Sequence, residues 1–176
     1  MVELETGNPI EGAVVASRWT IEPYVHSERF CDAKETVTDK NGEFLLPRGG
    51  CWSHSFAELS PADIVIFKPG YLAYPPLGAS QEERRLRMPD FTGYEFRDKK
   101  QYYVINLGRP KTRDEKWLLY ARTEREEREF TYDDAGSPFI HNEAFEKLPA
   151  LLKLINEERK NLGLTGEIGP PENRGD

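Results

Sequence analysis

The stretch Glu35-Thr-Val-Thr-Asp-Lys-Asn-Gly-Glu-Phe-Leu-Leu-Pro47 decides how the rest of the chain is read. Thr36, Val37 and Thr38 favour extended backbone. Asp39-Lys40-Asn41-Gly42 is turn chemistry, because Asn and Gly tolerate positive φ and Asp bonds its own downstream amides. Phe44, Leu45 and Leu46 resume the extended run, and Pro47 closes it. The reading is a β-hairpin over Cys31–Pro47 with a short Gly-containing loop.

Working outward, Val2–Glu5 reads as the end of a strand and Thr6-Gly-Asn-Pro9 as a turn. Ala13–Ile21 is a strand by composition, and Glu22–Phe30 a polar loop holding His26. Arg48–Ser60 is irregular. Ala62–Phe67 is an apolar run closed by Lys68-Pro69-Gly70, which fits a buried strand, and Tyr71–Tyr74 extends beyond that turn. Pro75–Lys100 reads as a long irregular connection with a basic patch (Arg84, Arg85, Arg87). Gln101–Leu107 returns as a last strand. The expected core is Val15, Trp19, Val37, Phe44, Ile64, Ile66, Val104 and Ile105.

After Pro110 the pattern becomes helical. Thr112-Arg-Asp-Glu115 fits a capping box. Arg122–Glu129 is almost wholly charged, with Glu124/Arg128 and Arg125/Glu129 at i,i+4, the mark of a solvated helix face. A second helix is expected from Pro149 to Leu162, with proline at its start and Gly163 past its end. Leu148, Leu151, Leu152 and Ile155 form its apolar stripe.

Short strands followed by helices give a mainly β fold, a seven-strand Ig-like β-sandwich with a C-terminal helical extension. Residues 1–110 form the sandwich domain, 111–165 the helices packed on it, and 166–176 a loose tail.

The chain has 176 residues, 31% of them charged, and a net charge of −7. The acidic balance argues against a nucleic-acid binder, which wants a basic face. No run reaches the roughly 20 apolar residues of a membrane span. Val2-Glu-Leu-Glu-Thr6 does not resemble a signal peptide. The chain reads as a mature fragment behind an introduced Met1, or as a cytoplasmic protein as written.

Two cysteines are present. If the Asp39–Gly42 turn centres the hairpin, Cys31 lies opposite residue 50, within one residue of Cys51, and the two thiols are candidates for a disulfide. Reduced cysteines that merely face each other are the other reading. His26-x4-Cys31 and Cys51-x2-His54 converge in the same register, and two thiolates with two imidazoles make a closed tetrahedral zinc site. A disulfide beside two incidental histidines is the blander alternative, with no cofactor. His141 reads as an ordinary surface residue, and no Gly-x-Ser-x-Gly motif supports a hydrolase. Trp52, Phe56, Phe91, Tyr94 and Phe96 lie in the irregular stretches. They either bind a protein or glycan partner or cap the ends of the sandwich.

Glu5-Thr-Gly-Asn-Pro-Ile-Glu-Gly-Ala-Val-Val15, Thr38-Asp-Lys-Asn-Gly-Glu-Phe44 and Lys68-Pro-Gly-Tyr71 together resemble the carboxypeptidase regulatory-like domains, over about residues 2–107. The resemblance implies a small transthyretin-like β-sandwich that is non-catalytic and often found in exported or envelope proteins. It therefore implies a periplasmic or extracellular location, a binding or structural role and no enzymatic activity. An oxidising compartment would let Cys31 and Cys51 pair. The closed loop of about 20 residues would then contribute on the order of 3 kcal/mol. The competing expectation is a small zinc-binding or hydrolytic envelope protein using the loop end near Cys51. Transthyretin-like hydroxyisourate hydrolases end Tyr-Arg-Gly-Ser, whereas this chain ends Glu172-Asn-Arg-Gly-Asp176. Intradiol dioxygenases carry a His-x-His pair that is absent here.

Overall fold

A computed structural model describes residues 1–23, 29–46, 57–59, 63–72, 94–97, 100–117 and 146–167. Among these lie eight short strands: β1 (Val2–Glu3), β2 (Val14–Pro23), β3 (Arg29–Val37), β4 (Ala57–Leu59), β5 (Asp63–Phe67), β6 (Tyr94–Arg97), β7 (Lys100–Tyr103) and β8 (Asn106–Leu107). They make three small sheets. In the largest, β2 is central, with β3 along one edge and β5 and β4 along the other. β1 pairs with β8 in parallel, and β6 with β7 in antiparallel fashion.

The arrangement is not a seven-strand sandwich, which corrects the fold expected from sequence. In a sandwich a second antiparallel sheet would cover one face of the first. Here a helix covers one face of the four-stranded sheet and the β1–β8 pair covers the other. Alternation along β2 shows this directly. Val14 and Ala16 belong to a core cluster with Ala33, Phe67, Leu148, Leu151 and Ile155. Val15 points the other way, into a cluster with Met1, Ile10, Ala13, Ile66, Ile105 and Leu107. A strand buried on both faces loses the polar alternation of a half-exposed strand. Ala13, Val14, Val15, Ala16 and Ser17 are accordingly all buried.

The hairpin expected over Cys31–Pro47 does not form. Its turn does: Gly42 N–H donates to Asp39 O at 2.8 Å, and Asp39 Oδ1 accepts from the amides of Asn41 and Glu43, both at 2.9 Å. Residues 43–46 then run without a ladder. The Met1 amine donates to Gly42 O at 2.5 Å, and Phe44 and Leu46 pack against the Met1 cluster. The strand partner of β3 is β2 instead, with Val14 opposite Val37 and Trp19 opposite Asp32. The polar segment after Ile21 is shorter than expected, because β2 continues to Pro23 and β3 begins at Arg29.

Further differences follow. The expected irregular connection contains β6, and the expected last strand is divided into β7 and β8. Val37 is 49% exposed, outside the core in which it was expected. Val15, Trp19, Ile66 and Ile105 are buried, while Phe44, Ile64 and Val104 are half-buried.

Besides residues 146–147, two helical segments are described. At the first, Thr112 and Glu115 form a reciprocal capping box: Glu115 N–H donates to Thr112 Oγ1 and Thr112 N–H to Glu115 Oε2, both at 3.1 Å. Residues 113–117 are helical. The second helix spans Pro149–Asn161, with proline in its first turn and Gly163 at φ +76 beyond its end. Leu148, Leu151 and Ile155 are buried against the sheet, and Leu152 is half-buried.

Candidate functional site

Two constellations of polar side chains stand on this frame. The first joins the three turn motifs into one junction. Thr38 is buried where β3 ends. Its hydroxyl donates to Ile10 O at 2.7 Å and accepts from Ala13 N–H at 2.9 Å. Its backbone completes the pairing through Gly12 N–H to Thr38 O and Thr38 N–H to Ala13 O, each 2.9 Å. The Lys68 ammonium donates to Gly12 O at 3.4 Å. Gly12 sits at φ +71, and a β-carbon there would stand 3.0 Å from Lys68 Nζ.

At the rim of the junction, Tyr71 follows the Lys68-Pro-Gly turn and meets β1. The Glu3 carboxylate accepts from Thr6 Oγ1 at 2.5 Å, from Tyr71 Oη at 3.4 Å and from Arg109 Nε. Arg109 Nη2 donates to Tyr71 Oη at 2.6 Å, and the guanidinium lies 4.6 Å from the Tyr71 ring centroid. The Thr6 hydroxyl and the Arg109 guanidinium hold the Glu3 carboxyl below its ordinary pKa, with Tyr71 assisting. Glu3 and Tyr71 reciprocally raise the pKa of Arg109. Each acceptor here is matched to a donor, so the rim is a closed hydrogen-bonded network.

The second constellation lies along β3 and docks the helix. The Asp32 carboxylate is buried. It accepts from Lys147 Nζ at 2.7 Å and from Ala33 N–H at 2.9 Å, with Lys34 Nζ at 3.6 Å. Lys147 Nζ also stands 5.7 Å from the Phe30 ring centroid. Two residues along, Glu35 reaches the start of the helix. Its Oε1 accepts from Ala150 N–H at 2.7 Å and its Oε2 from Leu151 N–H at 2.9 Å. The residue at the N-cap, Leu148, has no side chain able to cap. A carboxylate from a distant strand fills that role, where the exposed amides and the helix dipole favour negative charge.

Cys31 sits within this strand at a bulge. Asp32 faces Trp19 and Phe30 faces Thr20, which leaves Cys31 as the extra residue. Its sulfur is disulfide-bonded. The described partner of β3 is β2, and the Gly50–Cys51 region expected opposite Cys31 lies outside the described residues. Cys51, His26, His54 and His141 lie outside the described residues, as do Trp52, Phe56 and Phe91. Tyr94 and Phe96 are on β6, opposite Tyr103 and Gln101. A sulfur held in a disulfide does not supply the thiolate that zinc requires. Among the described residues no group of three or more His, Cys, Asp or Glu side chains is placed to hold a metal.

Glu3, Arg109, Asp32, Glu35 and Lys147 were not singled out by sequence reasoning. One signal was available for Glu35. A helix that begins Leu148-Pro149 lacks its own capping side chain and demands an acceptor from elsewhere. No family model, curated protein or solved structure matches this chain. Among the described residues no helix is long and apolar enough to cross a membrane.

Proposed function

We propose that this chain is a non-catalytic, β-rich module of a bacterial cell-envelope or exported protein, with a binding or structural role toward a protein or glycan. One observation carries the reading: Thr38 and Lys68 bond the backbone of residues 10–13, and Tyr71 bonds Glu3 and Arg109. Thr38, Lys68, Tyr71, Arg109 and Glu3 close the junction between β1, β3, β5 and β8. Polar groups used in this way stabilise a scaffold and leave no chemistry for a substrate. The oxidised state of Cys31 supports an oxidising compartment, since stable disulfides are rare in the cytosol.

The test is fractionation of cells that make the protein naturally, with thiols alkylated at lysis. The reading expects the chain in the envelope or exported fraction, with the Cys31 and Cys51 peptides linked in the mass spectrum. A cytoplasmic chain carrying two free thiols would overturn it. So would hydrolysis of an acyl-ester reporter by the purified chain that Tyr71→Phe or Arg109→Ala abolishes without lowering the melting temperature.

A further inference from the structure

The Asp39–Gly42 turn holds a reactive pair. Asn41 is the only asparagine in the chain that is followed by glycine. The backbone nitrogen after an asparagine can attack the side-chain carbonyl, and a glycine there has no β-carbon to hinder the approach. Asn41 is exposed, whereas Gly42 is buried. The turn occupies the attacking group: Gly42 N–H donates to Asp39 O at 2.8 Å. Its neighbours are pinned as well. Asp39 Oδ1 accepts from Asn41 N–H and Glu43 N–H, both at 2.9 Å, and Asp39 N–H donates to Glu43 O at 3.0 Å. Gly42 also lies against other backbone. An atom at its β-position would stand 2.1 Å from Met1 O and 3.1 Å from Ile10 N.

We propose that Asn41–Gly42 is a deamidation site that the folded turn guards, and whose isoaspartate product bars the chain from refolding. In the opened turn the Gly42 nitrogen gives up its proton to water and attacks Asn41 Cγ. The Cγ–Nδ2 bond breaks, ammonia leaves with a proton returned from water, and a succinimide remains. Water then opens the ring. Opening at the Cγ carbonyl gives aspartate, and opening at the backbone carbonyl gives isoaspartate. No atom changes oxidation state, and the only co-reactant is water. Isoaspartate carries the main chain through the side-chain carbons and so adds a methylene between residue 41 and Gly42. The turn has no room for it. Gly42 N–H must meet Asp39 O, and the space beside Gly42 is bounded by the backbone of Met1 and Ile10, not by the end of a flexible side chain. Aspartate leaves the main chain unchanged and fits. Because the fold withholds the attacking amide, the reaction runs through local opening.

Ageing of the full, unreduced chain at mildly alkaline pH, in native buffer and in guanidinium chloride, tests the site. Peptide mass spectrometry reads isoaspartate at position 41. It should form about tenfold or more slowly in native buffer, where only the opened fraction reacts. After removal of the denaturant, gel filtration should find unmodified chains in the native peak and isoaspartate chains outside it. Asn41→Gln, whose longer side chain closes the ring far more slowly, should refold after the same ageing. Freshly made Asn41→Asp should refold too, since it adds charge without lengthening the main chain. Equal rates in the two buffers would overturn the proposal, as would isoaspartate chains that return to the native peak. A refolding loss shared by aged Asn41→Gln would place the damage elsewhere and overturn it as well. Should even fresh chains fail to refold, natively aged protein decides: isoaspartate chains must elute apart from the native peak, and their presence within it would sink the idea.

Discussion

Glu35 and Ala150, 115 positions apart in the chain, are joined by a 2.7 Å hydrogen bond from the helix's first turn to a strand carboxylate. The same carboxylate takes the next amide, Leu151. Replacing it by alanine leaves two helix-terminal donors without their protein acceptor. Glu35→Ala should lower stability by about 0.5–2 kcal/mol, the range for loss of a helix cap. Glu35→Gln keeps one acceptor oxygen but loses the charge that suits the helix dipole, and should cost about 0.3–1 kcal/mol. Denaturant titration of the three proteins checks the order. Equal stability of Glu35→Ala and wild type would show that water replaces the carboxylate fully.

The apolar stripe beneath that cap gives the second prediction. Leu151 and Ile155 are buried against Val14, Ala16 and Phe67, whereas Leu152 is half-buried. Leu151→Ala should destabilise by about 2–5 kcal/mol through lost transfer energy and a residual cavity. Leu152→Ala should cost clearly less. Removal of residues 140–176 should lower the melting temperature and expose the same sheet face to a hydrophobic dye. An unchanged melting temperature in the truncated chain would show that the helix adds nothing to the fold.

Much of this helix was legible in the sequence. Its proline start, its glycine end and its leucine spacing are local signals, as is the Thr112–Glu115 capping box. The Asp39–Gly42 turn was legible for the same reason. The partner of β3 was not. Turn chemistry shows that the chain reverses, but it does not show that the returning segment forms a ladder. Phe44 and Leu46 satisfy their hydrophobic requirement in the Met1 cluster, and the long neighbour of β3 is β2. Val15 and Trp19 were expected in the core but Val14 and Ala16 were not, because helix and strands cover both faces of β2. The site residues were hidden by distance: nothing local to Glu3 announces Arg109.

Gly42 provides a sharper steric test. It sits at φ +70, and a β-carbon there would stand 2.1 Å from Met1 O. Gly70 has a similar φ of +79 with nothing within 4 Å. Gly70→Ala should therefore cost about 1 kcal/mol, for the left-handed backbone alone. Gly42→Ala should cost more, because the backbone of Met1 must also move. Melting temperatures of the two variants compare them directly. Equal losses would mean that the N-terminal segment yields freely.

Acid should weaken the rim of the junction. The folded-state pKa of Glu3 is lowered, so between that value and about 4.5 the unfolded chain binds the more protons. The contribution of Glu3 to stability is therefore complete above pH 4.5 and is lost as pH falls through the folded value. Glu3→Gln should flatten the fall in stability across that window and leave the neutral-pH slope unchanged. Arg109→Ala should flatten it partly, since the Thr6 hydroxyl remains. Superimposable acid profiles for wild type and Glu3→Gln would remove Glu3 from the account.

The parallel pair of Val2 with Asn106 sets a timetable for synthesis. A ribosome adds roughly 5–20 residues per second. β1 therefore emerges seconds before β8 exists, and the Met1 cluster also waits for Ile105 and Leu107. During that interval the nascent chain carries an unpaired strand and exposed apolar side chains, the condition that invites misassociation. The β2–β3 hairpin and the Asp39 turn are made from neighbouring sequence and need no such delay. A chaperone acting on the growing chain would find its substrate at β1, long after that segment had left the tunnel.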